Sequence, residues 1–359
     1  MRLTPHSLTL VAFVLAALAL LAACGTGDEE ADAPTAEPTA SAGPTVPIGT
    51  APPTSNCRPG DGPPSEGVGP KGLEGRITFV RLVFGCSPDV YIMNGDGSDA
   101  TALTDYPGLD DESDLSPDGR KVVFFSHKDG NADLYVMNSD GSDLVKLTSG
   151  EGDTSPRWSP DGKRIAFSRN GSLAVMNADG TKVKIIMEAM PASIADPCRA
   201  GSFVGSWSPD GKRITYYDAI LRPTAEGPSR YDVCAIDADG KNIEVLVSEP
   251  AGKLHAEPYW SPDGRYVAFR DDRAGDCSKN ESCNYDIFVL DLESRKETNV
   301  TAHPSFDIEP GWSPDGEWII FSSNREDPFF DLYVVHPDGT GLQRLLDDPE
   351  AKDSYPSWR

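Results

Sequence analysis

The tetrapeptide Ser-Pro-Asp-Gly begins at Ser116, Ser159, Ser208, Ser261 and Ser313, at steps of 43, 49, 53 and 52 residues. A unit recurring at such a period is one piece of supersecondary structure, and it buries its apolar surface only against neighbouring copies. Each copy follows a strand-like run ending in tryptophan, at Trp158, Trp207, Trp260 and Trp312, with Leu115 in the first copy. Within the tetrapeptide, proline presets φ, aspartate tolerates the next position, and glycine takes the left-handed conformation that closes a hairpin. A second strand follows ("RIAFS", "RITYY", "YVAFR", "WIIFS"), then a third ("DLYVMN", "DVCAID", "DIFVLD", "DLYVVH"). A second tight turn ("NSDG", "NADG", "DADG", "HPDG") leads into a short fourth strand. Alternating apolar residues and dense turn signals leave little room for helix. Four strands per unit at this spacing predict an all-β chain built as the blades of a β-propeller.

The two ends of the repeat region complete one another. It opens with "GRITFVR", a second strand, and "DVYIMNGDGSDATALT", a third and fourth, so its first strand is missing. The chain stops at "SYPSWR", a first strand with nothing after it. Pairing of the N- and C-terminal strands would make one shared blade, close the ring at six, and remove the open sheet edges that invite aggregation.

The pattern "PxWSPDGxxIAF…DLYVMNxDGxxxxxLT" covers nearly all of 76–359 and resembles the TolB-type, WD-like propeller repeat. The resemblance is specific for fold and uninformative for function, because the same repeat occurs in propeller domains of prolyl-oligopeptidase-like enzymes. TolB proper is a soluble periplasmic protein with an extra amino-terminal α/β domain. This chain has a different leader, so the resemblance implies a scaffold without carrying over Tol–Pal partners.

That leader divides in two. Residues 1–23 hold an apolar run, Leu8 to Ala23, too short for a comfortable membrane span and suited to a signal-peptide core. It ends in "LAAC", which resembles a bacterial lipobox and makes Cys24 the expected lipidation site; an ordinary secretory signal with a chance cysteine is the competing reading. Residues 24–71 are rich in Pro, Thr, Ala and acidic side chains and cannot bury enough surface to offset ordering entropy. They are expected to be a disordered tether, leaving 72–359 as the propeller. The expected location is extracytoplasmic, membrane-anchored through lipidated Cys24 alone.

Six cysteines remain: Cys57, Cys86, Cys198, Cys234, Cys277 and Cys283. An even number in an exported chain suggests disulfides. Cys277 and Cys283 close the short loop "CSKNESC"; Cys198–Cys234 and Cys57–Cys86 follow by proximity and elimination. No CxxC with a nearby histidine supports a metal site instead. The formal charge of −25 argues against nucleic acid and anionic lipid surfaces as partners.

Catalytic signals are sparse. A nucleophile elbow needs Gly-x-Ser-x-Gly, and the nearest string, "GWSPD" at 311–315, lacks the last glycine. His255 and His303 precede first strands in neighbouring units, which leaves a metal-dependent carbohydrate-active or peptidase-related enzyme as the alternative reading. The favoured one is a monomeric, non-enzymatic binding or scaffold module for a protein, peptide or glycan, with no obligatory cofactor. The long second-to-third and fourth-to-first loops open on one face, with insertions at 187–204, 218–230 and 271–284. Variable loops on a rigid scaffold carry function more often than uniform tight turns do. On the same face, Asp110, Asp153, His255, Asp307 and Asp353 each precede an innermost strand and are expected to encircle the channel mouth. Such a ring would attract Ca²⁺ or a basic peptide. The competing expectation is that each aspartate caps its own loop.

Overall fold

The computed structural model describes residues 68–83, 85–189, 198, 202–220, 230–248, 255–272, 284–326, 329–348 and 351–359. Expectations for 1–67, including the signal segment, Cys24, most of the tether and Cys57, lie outside the described residues, as do Cys277 and Cys283.

The described residues form six four-stranded antiparallel sheets and no helix. Five are made from consecutive strands, the blades that begin at Asp110, Asp153, Ser202, His255 and Asp307, here blades 2 to 6. Blade 1 is the shared one: the last strand, Ala351–Trp358, pairs antiparallel with Arg76–Val83, matching Ile77 to Trp358 and Arg81 to Asp353. The six first strands contact one another in a closed ring and so line the central channel.

Each blade is covered on both faces by its neighbours. The second and third strands therefore lose the alternation of a half-exposed sheet and become near-continuous buried runs, as in Arg164–Arg169 and Ser172–Asn177. Every second strand contributes one fully buried aromatic ring: Phe79, Phe124, Phe167, Tyr216, Phe269 and Phe321. The first-strand tryptophans fill the seams. The Trp207 and Trp312 indole N–H groups donate across a seam to the carbonyls of Arg157 and Tyr259, both at 3.1 Å. Leu115 takes the tryptophan position in blade 2 and is wholly buried.

The Ser-Pro-Asp-Gly turns satisfy themselves. In all five the serine hydroxyl donates to the aspartate at 2.5–2.7 Å, and the same carboxylate accepts the backbone N–H two residues on. The glycines sit at φ between +67° and +75°, where a side chain would be strained. One carboxylate oxygen of each of these aspartates is thus committed to its own turn.

Cys198 and Cys234 are joined in a disulfide spanning 36 residues. It ties Cys198 to the third strand of blade 4, where Cys198 packs with Val204, Trp207 and Tyr216. Cys86 is also disulfide-bonded. Closing a loop of this length stabilises a fold by roughly 2–4 kcal/mol. Cys198→Ala with Cys234→Ala is expected to lose about that much in urea unfolding, and an unchanged midpoint would mean that the bridge constrains nothing in the unfolded chain.

Candidate functional site: the central channel and its long-loop mouth

The residues expected to ring the mouth do begin the first strands, but they do not present an open acidic surface. Asp110, Asp153, His255, Asp307 and Asp353 are all fully buried. Asp153 takes both arms of Arg169 at 2.8 and 2.9 Å. Asp307 takes Arg325 at 2.8 and 2.9 Å and the Ser323 hydroxyl at 2.6 Å. Asp353 takes both arms of Arg81 at 2.8 Å. Nδ1 of His255 faces the Asp271 carboxylate at 2.9 Å. Their partners lie on or just beyond the adjacent second strand, so these groups lock first strand to second inside each blade. The expectation of loop capping through backbone N–H groups is corrected in the same way: the donors are mostly guanidinium groups. Asp110 is the exception and is treated below.

The carboxylates that occupy the channel sit two residues further along. Each first strand carries a β-bulge near its middle. In five blades the bulge puts a non-glycine residue at positive φ: Glu112 at 49°, Ser155 at 52°, Glu257 at 56°, Glu309 at 57° and Tyr355 at 51°. Such a conformation costs of order 1–3 kcal/mol and persists only where its surroundings enforce it. Here the enforcement is mutual. Glu112 accepts the bulge N–H of Ser155 at 2.6 Å, Glu257 that of Glu309 at 2.7 Å, and Glu309 that of Tyr355 at 2.7 Å. Each carboxylate thus caps the bulge of the next blade. Arg157 continues the hoop by donating to the Gly205 carbonyl at 2.9 Å. Ser357 closes it with a 2.6 Å bond to Asp114, which also accepts the Trp158 backbone N–H at 2.7 Å. Gly205 is required there, since a Cβ would meet the Pro258 carbonyl at 2.1 Å.

Sequence reasoning weighed the acidic residue three before the proline and passed over the glutamate immediately before it in "AEP" and "IEP". The signal was present, because a residue before proline is already restricted and a repeated glutamate at that point needs a reason.

Burial sets the electrostatics of the channel. The Glu309 carboxyl is pushed up to about 7, first by burial and then by the neighbouring Glu257. Burial also raises Asp111 and Glu112, and raises the Tyr217 and Tyr355 phenols well above their usual range. Arg157, Arg270 and Lys352 bring positive charge among these groups, and Arg270 lies 3.1 Å from Glu257. For Glu309 the sign is definite. The folded-state value lies above the ordinary 4.5, so the folded chain keeps a proton that the unfolded chain has lost, and stability falls as pH rises from about 4.5 to about 7. Glu309→Gln is expected to flatten that part of a stability–pH profile, and a profile parallel to wild type would remove Glu309 as its source.

Towards the long-loop end the channel is edged by half-buried aromatic rings. Phe203 stacks on Tyr217 at 5.2 Å, and Tyr285 tilts against Phe306 at 5.4 Å. The Arg270 guanidinium lies over Tyr285 at 4.8 Å, and the Lys352 ammonium over Phe330 at 4.9 Å. Most of the insertions at 187–204, 218–230 and 271–284 fall outside the described residues. His303 lies at this end too, its Nδ1 accepting the Ser305 backbone N–H at 3.3 Å. Among the described residues no three His, Cys, Asp or Glu side chains are placed to hold a metal ion together.

A closed ring of six four-stranded sheets defines a six-bladed β-propeller. The TolB beta propeller domain matches residues 74–195 and 171–359, and the chain belongs to that family. It is 32% identical over 204 residues to an uncharacterized protein of Agrobacterium fabrum, covering 57% of this chain and 60% of that one. It is 25% identical over 130 residues to the Tol-Pal system protein TolB of Francisella tularensis, covering 36% of this chain and 28% of that one. The chain therefore spans less than two thirds of either relative. Among solved structures it is similar to TolB from Acinetobacter baumannii, with a TM-score of 0.64 at 19% identity over 80% of this chain and 67% of that one. That likeness is one of fold.

Proposed function

We propose that this chain is a non-enzymatic, extracytoplasmic binding or scaffold lipoprotein, tethered through Cys24, that engages a polypeptide partner at the long-loop mouth of its channel. The observation that carries this reading is the asymmetry of the two faces. On the tight-turn face the same Ser-Pro-Asp-Gly turn recurs in five blades with its serine bonded to its aspartate, so that surface varies little from blade to blade. On the opposite face Phe203, Tyr217, Tyr285 and Phe306 lie half-buried beside Arg270. Aromatic side chains and arginine are the residue types most enriched at protein interfaces. Membership of the TolB propeller family fits binding as the coarse role. The Cys198–Cys234 disulfide fits an oxidising compartment, where such bonds persist.

The test is photo-crosslinking in the native host from residue 305, in place of Ser305 beside the aromatic edge, against residue 163, in place of exposed Lys163 on the tight-turn face. A protein trapped from position 305 and not from 163 is the expected result. Equal trapping from both, or none from 305, would overturn the choice of face. A detergent-phase shift of the chain that is lost in Cys24→Ala tests the anchor separately.

A further inference from the structure

The seam between blades 1 and 2 lacks the side-chain pairing that three other seams share. At the seams between blades 2 and 3, 5 and 6, and 6 and 1, the aspartate opening a third strand and the aspartate opening the next first strand both have close partners. Asp133 meets Lys146 at 2.8 Å while Asp153 meets Arg169. Asp331 pairs with Arg344 while Asp353 pairs with Arg81. Asp286 accepts from Asn299 at 2.8 Å while Asp307 pairs with Arg325. At the blade 1–blade 2 seam the corresponding pair is Asp89 and Asp110, and both partners have been replaced.

The strand register shows how. Lys146, Arg344 and Asn299 stand opposite Tyr135, Tyr333 and Phe288 on the third strands; opposite Tyr91 stands Ala102. Arg169 stands opposite Asp153; opposite Asp110 stands Ser126. Lys128 is directed over the rings of Tyr106 and Tyr135, at 4.9 and 5.3 Å, and lies 3.8 Å from Asp129; its charge also reaches Asp110 and opposes the effect of burial there, without a direct ion pair.

Asp110 is consequently a fully buried carboxylate, and neither of its oxygens has a partner in good hydrogen-bond geometry. Asp89 retains the Thr104 hydroxyl at 3.3 Å. Asp110 acts on Asp89 through its charge, with no hydrogen bond between the two carboxyls. Burial and this mutual repulsion push Asp89 up to about 7, and burial pushes Asp110 up to about 6. The hydroxyls of Thr104 and Ser126 are close enough to Asp110 to hold its value down, and exposed Asp105 adds a further negative charge nearby. A buried carboxylate with no ion-pair partner in contact is expensive, and the groups around this one offer oxygen donors.

We propose that the Asp89–Asp110 seam is a binding site for a hard divalent cation, Ca²⁺ foremost. The ion would be held by these two carboxylates with the Thr104 and Ser126 hydroxyls, and water would complete its shell. An oxygen-only donor set selects against thiolate- and imidazole-seeking metals. Mg²⁺ demands stricter octahedral geometry and dehydrates reluctantly, which favours Ca²⁺ at an irregular seam. With only two carboxylates the affinity belongs with weak extracellular sites, a Kd on the order of 10⁻⁴–10⁻³ M. The ion would do at this seam what arginine and lysine do at those three. The site lies between blades, so it stands or falls independently of where a partner binds.

The full chain is melted at pH 7.5 in low salt with a chelator, then with CaCl₂ or MgCl₂ raised in steps. The expected result is a saturable rise in Tm with Ca²⁺, half-complete at about 10⁻⁴–10⁻³ M, and a smaller rise with Mg²⁺. Asp110→Asn and Asp89→Asn should abolish the rise, and Glu309→Gln, in the channel, should keep it. Calorimetric titration with CaCl₂ should count one ion fewer in the two aspartate variants. If Asp110→Asn does not fold, half-buried Asp89→Asn carries the test. The proposal is overturned if the aspartate variants keep the full response, if Glu309→Gln alone abolishes it, or if wild type does not respond, most directly where Asp110→Asn also melts higher. That last result would show the pair holding a proton in place of an ion.

Discussion

Trp358→Ala is expected to lower the stability of the propeller by about 3–5 kcal/mol, the range for deleting a buried tryptophan side chain. Trp358 is wholly buried and packs with Ile77 and Phe79 of its own blade and with Ile320 of blade 6. Its indole N–H donates to the Glu74 carbonyl at 2.9 Å. It also belongs to the strand that closes the ring, so its loss weakens the pairing between Ala351–Trp358 and Arg76–Val83. The other tryptophans sit within blades whose strands are consecutive in sequence. Urea unfolding measures the effect, and the slope of the transition is as informative as its midpoint. A cost near 3–5 kcal/mol with a reduced slope would mean that blade 1 opens before the rest. A cost below about 1 kcal/mol would show that the terminal strand is dispensable for closure.

Arg81→Met is expected to cost a similar amount, about 3–5 kcal/mol, because it strands Asp353 as a buried, unpaired charge. Arg81 holds Asp353 through two bonds of 2.8 Å and also lies 3.3 Å from Asp348. Burial already raises the Asp353 carboxyl, and Arg81 is what opposes that rise. Without the arginine the folded-state value climbs further above the unfolded one. The variant's deficit should therefore be largest at alkaline pH and shrink as pH falls and Asp353 takes up a proton. Pairing Arg81→Met with Asp353→Leu should recover most of the loss, as replacing a buried ion pair by apolar side chains often does. A deficit independent of pH, or no recovery in the double variant, would assign the cost to lost packing of the guanidinium over Phe79 and Tyr91.

Much of the architecture was legible because it is written in local chemistry. Proline, aspartate and glycine at fixed places specify each tight turn, and tryptophan before the turn marks the end of each inner strand. The shared blade was legible as well, since "GRITFVR" lacks a first strand and "SYPSWR" lacks the rest. The disulfide between Cys198 and Cys234 followed from their nearness and the even count. The role of the aspartate ring was not legible in the same way. From the sequence, Asp153, Asp307 and Asp353 look like a repeated acidic position open to a ligand. Their arginines lie 16 or 18 residues later for Asp153 and Asp307, and 272 residues earlier for Asp353. Only strand register brings these partners together.

The channel glutamates illustrate the same division from the other side. Glu257 and Glu309 were visible before prolines, yet nothing local says that each caps the bulge of the following blade. That contact exists because six inner strands are drawn into a ring, where positive-φ residues of adjacent blades meet. Turn chemistry and a 43–53-residue period were enough to specify blades, their number and their closure, since these depend on residues close along the chain or on its two ends. Which charges are neutralised, which carboxylates enter the channel, and why Asp89 and Asp110 stand apart were settled only in three dimensions. Charge compensation depends on which side chains come within a few ångströms of one another, and in this fold that is decided by the stacking of blades.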